Sequence, residues 1–233
     1  MSKPIRRLDQ ILANLGYCSR SEARGWVRGG RVTVNGEKAR DPADKALLAS
    51  VLVDGQPLDC PDGLLAILHK PAGYVCTHDV REGAIVFDIL PARWLKRNPP
   101  ATTVGRLDKD TTGVLLITDQ GALVQRWTSP HHKVPKMYEV TVDGELTPGL
   151  IPLFAAGTLL LEDDLKPCLP AKLEILSAHE ARLELVEGRY HQVKRMFGSQ
   201  GLNVTHLHRS HFGEYTVADL KPGEWRLLPV PTV

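Results

Sequence analysis

Val104–Thr118 reads VGRLDKDTTGVLLIT. Its second half, Val114-Leu115-Leu116-Ile117, is an unbroken apolar run of strand length and reads as a buried strand. The first half is polar, and Gly105 and Gly113 bracket Arg106, Asp108, Lys109, Asp110, Thr111 and Thr112. The stretch is therefore a tight loop feeding a core strand. Charges held at such a place must be paired, and loops on a rigid scaffold are where chemistry concentrates. Taken alone, the loop fits either an active site or a charged surface turn with Asp110 capping the two threonines.

The chain on either side supplies more strands. Leu64–Leu68 restarts an apolar run and leads into Lys70-Pro71-Ala72-Gly73-Tyr74. Ile85–Leu90 is apolar and suggests a short helix. The basic, proline-rich excursion with Arg93, Lys96, Arg97, Pro99 and Pro100 reads either as a substrate-facing insertion, the preferred reading, or as a surface turn. Beyond the central strand come a short helix over Gly121–Trp127 and an irregular basic segment, Ser129–Lys136. Strand signals follow at Met137–Val142, Lys172–Leu176 and Arg182–Val186. A helical run lies within Glu187–Phe197, and three further strands are expected at Asn203–His211, Glu214–Val217 and Glu224–Leu228. Many strands joined by short turns predict an α+β fold with a mixed, largely antiparallel sheet. No GxGxxG follows a strand, which argues against a dinucleotide-binding fold.

Residues 1–55 have a different character, with ten Lys or Arg against six Asp or Glu. Leu8, Ile11, Leu12 and Leu15 recur at helical spacing before Gly16. Ser19 and Glu22 have the spacing of a capping box for a second helix, in which Ala23, Trp26 and Val27 face inward. Arg20, Arg24, Arg28 and Arg31 form a basic ridge. Arg31–Val34 alternates as a strand, Asn35-Gly36 is a hairpin turn signal, and Val51–Val53 turns at Asp54-Gly55. Two short helices and a small sheet with a basic face suit RNA phosphates, although a solvated helix face has the same composition. Gln56–Gly63, rich in Pro and turn residues, reads as a linker. The expected organisation is therefore a small αα-β module over 1–55, a linker over 56–63 that lets it move, and a larger domain over 64–233.

Composition narrows the class. Apolar content of 42%, charged content of 24% and a net charge of +2 are ordinary for a soluble globular protein. Cys18, Cys60, Cys76 and Cys168 form no CxxC pair, so neither a disulfide scaffold nor a thiolate zinc site is indicated. No stretch reaches the roughly 18 apolar residues of a membrane span, and no leader is recognisable, so a cytoplasmic location is expected. His206, His208 and His211 lack the spacing of an HExxH pair, and no metal is expected. Asp108 and Asp110 are two acids without a third ligand.

The N-terminal text RLDQILANLGYCSRSEARGWVRGGRVTVNGE resembles an S4 RNA-binding domain. GRLDKDTTGVLLITDQG, SPHHKVPKMYEV and EGRYHQVKRMF resemble, in that order, the three sequence segments of the RsuA/RluB/RluE/RluF group of pseudouridine synthases. The resemblance covers nearly the whole chain. It implies that Asp108 is the catalytic aspartate and that Arg106 helps open the RNA. It further implies that Tyr138 stacks on the target base and that Lys194 pairs with Asp108, with Leu185 as an apolar wall and Asp110 shaping the loop. RNA contacts are implied for Arg6, Arg7, Arg20, Arg24, Arg28 and Arg31, and for His131, His132, Lys133, Lys136, Arg189, Gln192 and Arg195.

The implied reaction replaces the N1–C1′ bond of a uridine by a C5–C1′ bond on a flipped nucleotide and needs no cofactor. Attack of the carboxylate on the sugar and abstraction of the C2′ proton both stay open, the second being preferred. The RYHQ, SPHHK and HLHR texts resemble the small-subunit branch. They imply one uridine of 16S rRNA, position 516, in a partly assembled small-subunit particle and acted on by a monomer. A 23S rRNA target and a catalytically idle ribosome-assembly protein are the alternatives.

Overall fold

The computed structural model describes residues 5–162 and 164–231, so the outermost residues of the expected domain spans, 1–4 and 232–233, lie outside the described residues. The N-terminal unit begins with β1 (Ile5–Arg7), α1 (Leu8–Asn14) and α2 (Ala23–Arg28). It continues through β2 (Val32–Val34), β3 (Glu37–Lys38), β4 (Lys45–Leu47), β5 (Val51–Val53) and β6 (Gln56–Pro57). β1 pairs with β4, while β3-β2-β5-β6 form a separate four-stranded sheet. Leu8, Ile11, Leu12, Leu15, Ala23 and Val27 bury against Val32, Val51 and Val53, the helical spacing read from sequence. Ser19 and Glu22 make the reciprocal capping bonds at 3.3 and 2.7 Å, although the regular helix starts only at Ala23. Asn35 and Asp54 adopt left-handed conformations, each before a glycine that does the same, as tight hairpins of this kind require. Gln56–Pro57, read as the start of a linker, instead closes the second hairpin onto Leu52 and Val53.

The larger unit is one nine-stranded sheet. Its strands are β7 (Leu65–Lys70), β8 (Thr102–Thr103), β9 (Thr112–Thr118), β10 (Lys136–Val142) and β11 (Lys172–Ile175). The rest are β12 (Glu180–Leu185), β13 (Val204–Phe212), β14 (Tyr215–Thr216) and β15 (Trp225–Leu227). The order is β11-β12-β10-β13-β9-β7-β15, with β8 beside β9 and β14 beside β13. Among the described strands only β13 and β9 run parallel, so the sheet is mixed and largely antiparallel as predicted. The helices are α3 (Gly121–Thr128), α4 (Leu150–Ala155) and α5 (Gln192–Gly198). The sequence reading assigned nothing to α4, a single apolar patch of LIPLFA with a proline inside it.

The continuous apolar run of β9 has a direct cause. Leu115 and Ile117 face the main core with Leu68, Phe87, Trp94, Tyr138 and Phe197. Val114 and Leu116 face a second core with Ile67, Phe212 and Val217. Both faces of this central strand are covered, so alternation disappears from its sequence.

The parallel pairing brings Arg209 opposite Gly113. Gly113 has φ +111°, and a Cβ there would lie 2.2 Å from the Arg209 carbonyl oxygen. Gly113→Ala must therefore either break the pairing or move a buried strand. Thermal or denaturant unfolding should show a loss of more than about 3 kcal/mol. A loss below about 1 kcal/mol would mean that the close approach carries no energetic weight.

The basic, proline-rich excursion is more than the insertion or surface turn anticipated from sequence. Trp94 and Arg97 turn inward, while Lys96, Pro99 and Pro100 stay exposed. Trp94 is buried, and Arg97, 2% exposed at the side chain, pairs with Asp119 at 2.7 Å and donates to the carbonyls of Asp59 and Cys60. A buried guanidinium needs such a set of acceptors. The same segment meets the N-terminal unit. Asn98 N–H donates to the Asn14 carbonyl at 2.9 Å, Asp59 N–H to the Tyr17 hydroxyl at 2.9 Å, and the Arg93 guanidinium lies over the Tyr17 ring. Gly16 is required at this junction, because a Cβ would lie 2.5 Å from the Arg93 carbonyl oxygen.

Candidate active site

Asp108 projects from the loop between β8 and β9 into a small cavity of about 60 Å³. Arg106, Tyr138, Leu185, His191 and Lys194 also line it. The cavity opens into a cleft of about 700 Å³ that carries Lys109, Lys136, Tyr190 and Arg209 as well. Tyr138 reaches the site from the central part of β10, and Leu185 from the end of β12. His191 and Lys194 come from the start of α5. Residues up to 86 positions away in sequence thus converge on the Asp108 carboxylate.

The loop is held from beneath by Lys70, whose side chain ends β7 fully buried. Its ammonium donates to the carbonyls of Asp108 at 3.0 Å, Lys109 at 3.2 Å, Thr111 at 2.8 Å and Pro71 at 3.1 Å. Burial pushes the Lys70 pKa down from its usual value, and the charges of Asp110 and Asp108 oppose that. Gly73 N–H adds a bond to the Lys109 carbonyl at 2.7 Å, and Thr111 N–H one to the Asp108 carbonyl at 3.1 Å. Such a cage fixes where the carboxylate starts from. Sequence reasoning quoted Lys70 without giving it a role. A lysine at the buried end of an apolar strand, immediately before a proline, was the available signal.

Two cations or potential cations face the carboxylate itself. Lys194 Nζ lies 3.3 Å from Asp108 Oδ2, and His191 Nε2 lies 3.4 Å from Asp108 Oδ1. Lys194 sits nearer to Asp110, at 2.7 and 2.9 Å from its two oxygens. Burial lowers the Lys194 pKa, but the Asp110 hydrogen bond and the two carboxylate charges outweigh it and the net shift is upward. The Lys194 hydrogen bond in turn holds Asp110 below the usual carboxylate range. Lys194 therefore remains cationic at neutral pH and bridges both acids of the loop. His191 did not figure among the sequence candidates. It stands at φ +46°, a left-handed conformation that turns its ring toward Asp108 at the head of the helix.

The remaining candidates divide by whether the protein already occupies them. Arg189 donates to Asp164 at 2.9 Å, to Glu187 at 3.1 Å and to the carbonyls of Lys166 and Pro167. Arg195 pairs with Asp164 at 3.0 Å and donates to the Glu162 carbonyl. Gln192 is buried and bonds Glu187 and the Arg189 N–H. Arg189 and Arg195 thus hold Glu162, Asp164, Lys166 and Pro167, while Gln192 braces Arg189 and Glu187. Lys136 is half-buried and donates to the Val134 carbonyl, and burial lowers its pKa, with Arg209 adding to the effect.

His131, His132 and Lys133 are exposed. The two histidines line, with Arg126 and Trp127, a groove that meets the cleft at Trp127 and Ser129. In the N-terminal unit Arg6, Arg24 and Arg28 are exposed. Arg7 and Arg20 share Asp9, and Arg31 is held by Asp54 while covering the Trp26 ring at 3.5 Å. His208 is hydrogen-bonded to the Thr112 hydroxyl at 2.8 Å, a local structural role. No group of three potential metal ligands occurs among the described residues. No helix among them is long and apolar enough to cross a membrane.

Comparison with known proteins places this geometry. Residues 65–199 match the family model described as RNA pseudouridylate synthase, and residues 6–48 match the S4 domain. The ribosomal small subunit pseudouridine synthase A of Escherichia coli K12 is 42% identical over 228 residues, covering 95% of this chain and 96% of its own. Its counterpart of the same name in Vibrio parahaemolyticus is 37% identical and covers 95% of both. A crystal structure of a pseudouridylate synthase superposes with a TM-score of 0.66 at 33% identity, covering 96% of each chain.

Proposed function

This chain belongs to the RsuA-type family of RNA pseudouridine synthases, with an S4 domain ahead of the catalytic one, and from that premise we propose that it isomerises one uridine of 16S rRNA. Its activity is that of a pseudouridine synthase; the small-subunit target is the part inferred from its relatives. The observation that carries the reading is the placement of Asp108 in a narrow cavity off an RNA-sized cleft, between Lys194 and His191. A free uracil is exchanged between two bonds to the same sugar. The protein must therefore hold a reactive carboxylate, shelter the detached base and do little else.

Asp108 acts at the sugar, either by adding to C1′ or by taking the C2′ proton. In both cases the N1–C1′ electrons leave with the uracil. The base turns, and C5 bonds to C1′ as the Asp108–C1′ bond breaks or as the C2′ proton is returned; C5 loses its proton and N1 gains one, so atoms and charge balance without a cofactor. Tyr138 and Leu185 form the walls against which the base stacks. Lys194 sets a positive charge 3.3 Å from the carboxylate. Arg106, exposed at the cavity, is suited to the RNA backbone or to the space left by the flipped base. We assign Arg189, Gln192 and Arg195 to holding the loop before α5, since their polar groups are already engaged within the protein. His131, His132 and Lys133 are assigned to the RNA path. The substrate is proposed to be a partly assembled small-subunit particle, bound by a cytoplasmic monomer. The N-terminal domain is proposed to end where the small sheet ends, before the 64–231 body.

Purified protein incubated with 5-tritiated-uridine rRNA in such particles should release tritium. Pseudouridine mapping of a gene-deletion strain should show one lost site, in 16S rRNA. Loss confined to 23S rRNA would overturn the target, and binding without any release would favour an idle assembly factor.

Arg24 and Arg28 offer a separate check on the S4 domain. Each phosphate contact releases counterions, so Arg24→Gln with Arg28→Gln should reduce the log–log salt slope of RNA binding by about 2. An unchanged slope would remove both from the phosphate contacts.

A further inference from the structure

We propose that Tyr190 is a stacking platform for the nucleotide next to the flipped uridine, a subsite that rests on the RNA-isomerase reading above. Tyr190 is 70% exposed, an unusual position for a large aromatic side chain on the rim of a polar cleft. One of its faces is already used. The ring stacks on His191 with centroids 3.8 Å apart and planes 22° from parallel. His191 in turn reaches Asp108 through Nε2 at 3.4 Å. Tyr190 is thus joined to the carboxylate through the His191 ring, and most of its own surface is open to solvent.

The backbone beneath the platform is tied down on both sides. His191 is held in its left-handed conformation, and the Tyr190 carbonyl accepts a bond from Arg195 at 3.3 Å. The Arg189 side chain ties the preceding residue to Asp164, Lys166 and Pro167. A ring so fixed loses little conformational freedom on binding.

The occupant follows from the reaction. Extruding a uridine deprives both of its neighbours of a stacking partner, and an aromatic face can replace that partner for any base. Arg106, Lys109 and Lys136 line the same cleft and give the strand's phosphates a basic surround. Nothing in the platform reads base edges, so it would support affinity and registration and leave sequence choice to other contacts.

The test uses a 16S rRNA fragment carrying 2-aminopurine on one or the other side of the target uridine. It is bound to full-length protein with Asp108→Asn, so that no turnover intervenes. Stacking on Tyr190 should quench fluorescence at one flank. Tyr190→Leu should abolish most of that quenching and Tyr190→Phe should restore it. With unlabelled RNA and Asp108 intact, Tyr190→Leu should raise KM about tenfold, with the loss concentrated in KM and reversed by Phe. Quenching that is unchanged by Tyr190→Leu at both flanks, or a loss confined to kcat, would overturn the platform. If the wild-type protein binds and quenches this RNA but never isomerises it, the isomerase reading fails while the subsite stands.

Discussion

Asp108→Asn should abolish pseudouridine formation while leaving RNA binding nearly intact. The substitution keeps the shape of the side chain and removes its charge, and the structure shows why little else should change. Lys194 would lose a contact of 3.3 Å but keep Asp110 at 2.7 and 2.9 Å, so Lys194 is not left unpaired, and His191 loses only its 3.4 Å contact. The loop stays caged through the Asp108 carbonyl, which the substitution does not touch. An amide can neither form the sugar adduct nor take the C2′ proton. The turnover rate should fall by at least about a thousandfold, the scale seen when the sole reactive group of a site is removed. Removing a negative charge from a cleft that receives phosphates should hold affinity level or raise it. Tritium release under single-turnover conditions and equilibrium RNA binding separate the two effects. A variant that still turns over within tenfold of the wild type would take Asp108 out of the chemistry, and Asp110, two residues away and already on Lys194, would be examined next.

The parts of this molecule that were readable in sequence are those where local chemistry and tertiary role agree. The helical spacing of Leu8, Ile11, Leu12 and Leu15, the turns at Asn35-Gly36 and Asp54-Gly55, and the apolar strand after Gly113 all have one local solution. The 104–111 loop was legible as a candidate site because its charges sit beside a buried strand. Arg97 misled for the opposite reason: in sequence it belongs to a basic, proline-rich surface run, and only the distant Asp119 turns it inward. Arg189 and Arg195 look like phosphate ligands until Asp164, from a separate loop, claims them both. His191 was passed over because its importance lies in a left-handed backbone that points its ring at Asp108, and the bare text does not show that direction. In each case the missing information was the identity of a partner far along the chain. Side-chain type predicted chemistry well and predicted occupancy poorly.

Lys70 is the sharpest instance, and Lys70→Met is the second substitution with a large expected effect. Methionine fills a similar volume, so the change removes the ammonium and opens no large cavity. Three carbonyls of the catalytic loop and that of Pro71 lose their donor. An unsatisfied buried acceptor costs about 1–3 kcal/mol, but the full sum should not appear. Burial lowers the Lys70 pKa, which means that the folded protein holds this proton less tightly than the unfolded chain does. The charge thus opposes folding at neutral pH, a cost that shrinks as pH rises from the lowered pKa toward the ordinary value of 10.5. Methionine removes that cost along with the hydrogen bonds, so the net loss of stability should be about 2 kcal/mol.

Activity should suffer more than stability. The three loop carbonyls are what set the height of Asp108 in its cavity, and a displacement of about 1 Å at a reacting group is worth about a hundredfold in rate. The expected result is a folded Lys70→Met protein with kcat reduced at least about a hundredfold and KM changed much less. Lys70→Arg should not rescue it, because a planar guanidinium cannot direct its N–H groups at four carbonyls converging on one point. Unfolding curves and steady-state kinetics on the same preparations decide the matter. If kcat stays at the wild-type level while stability drops, Lys70 serves the sheet rather than the catalytic loop.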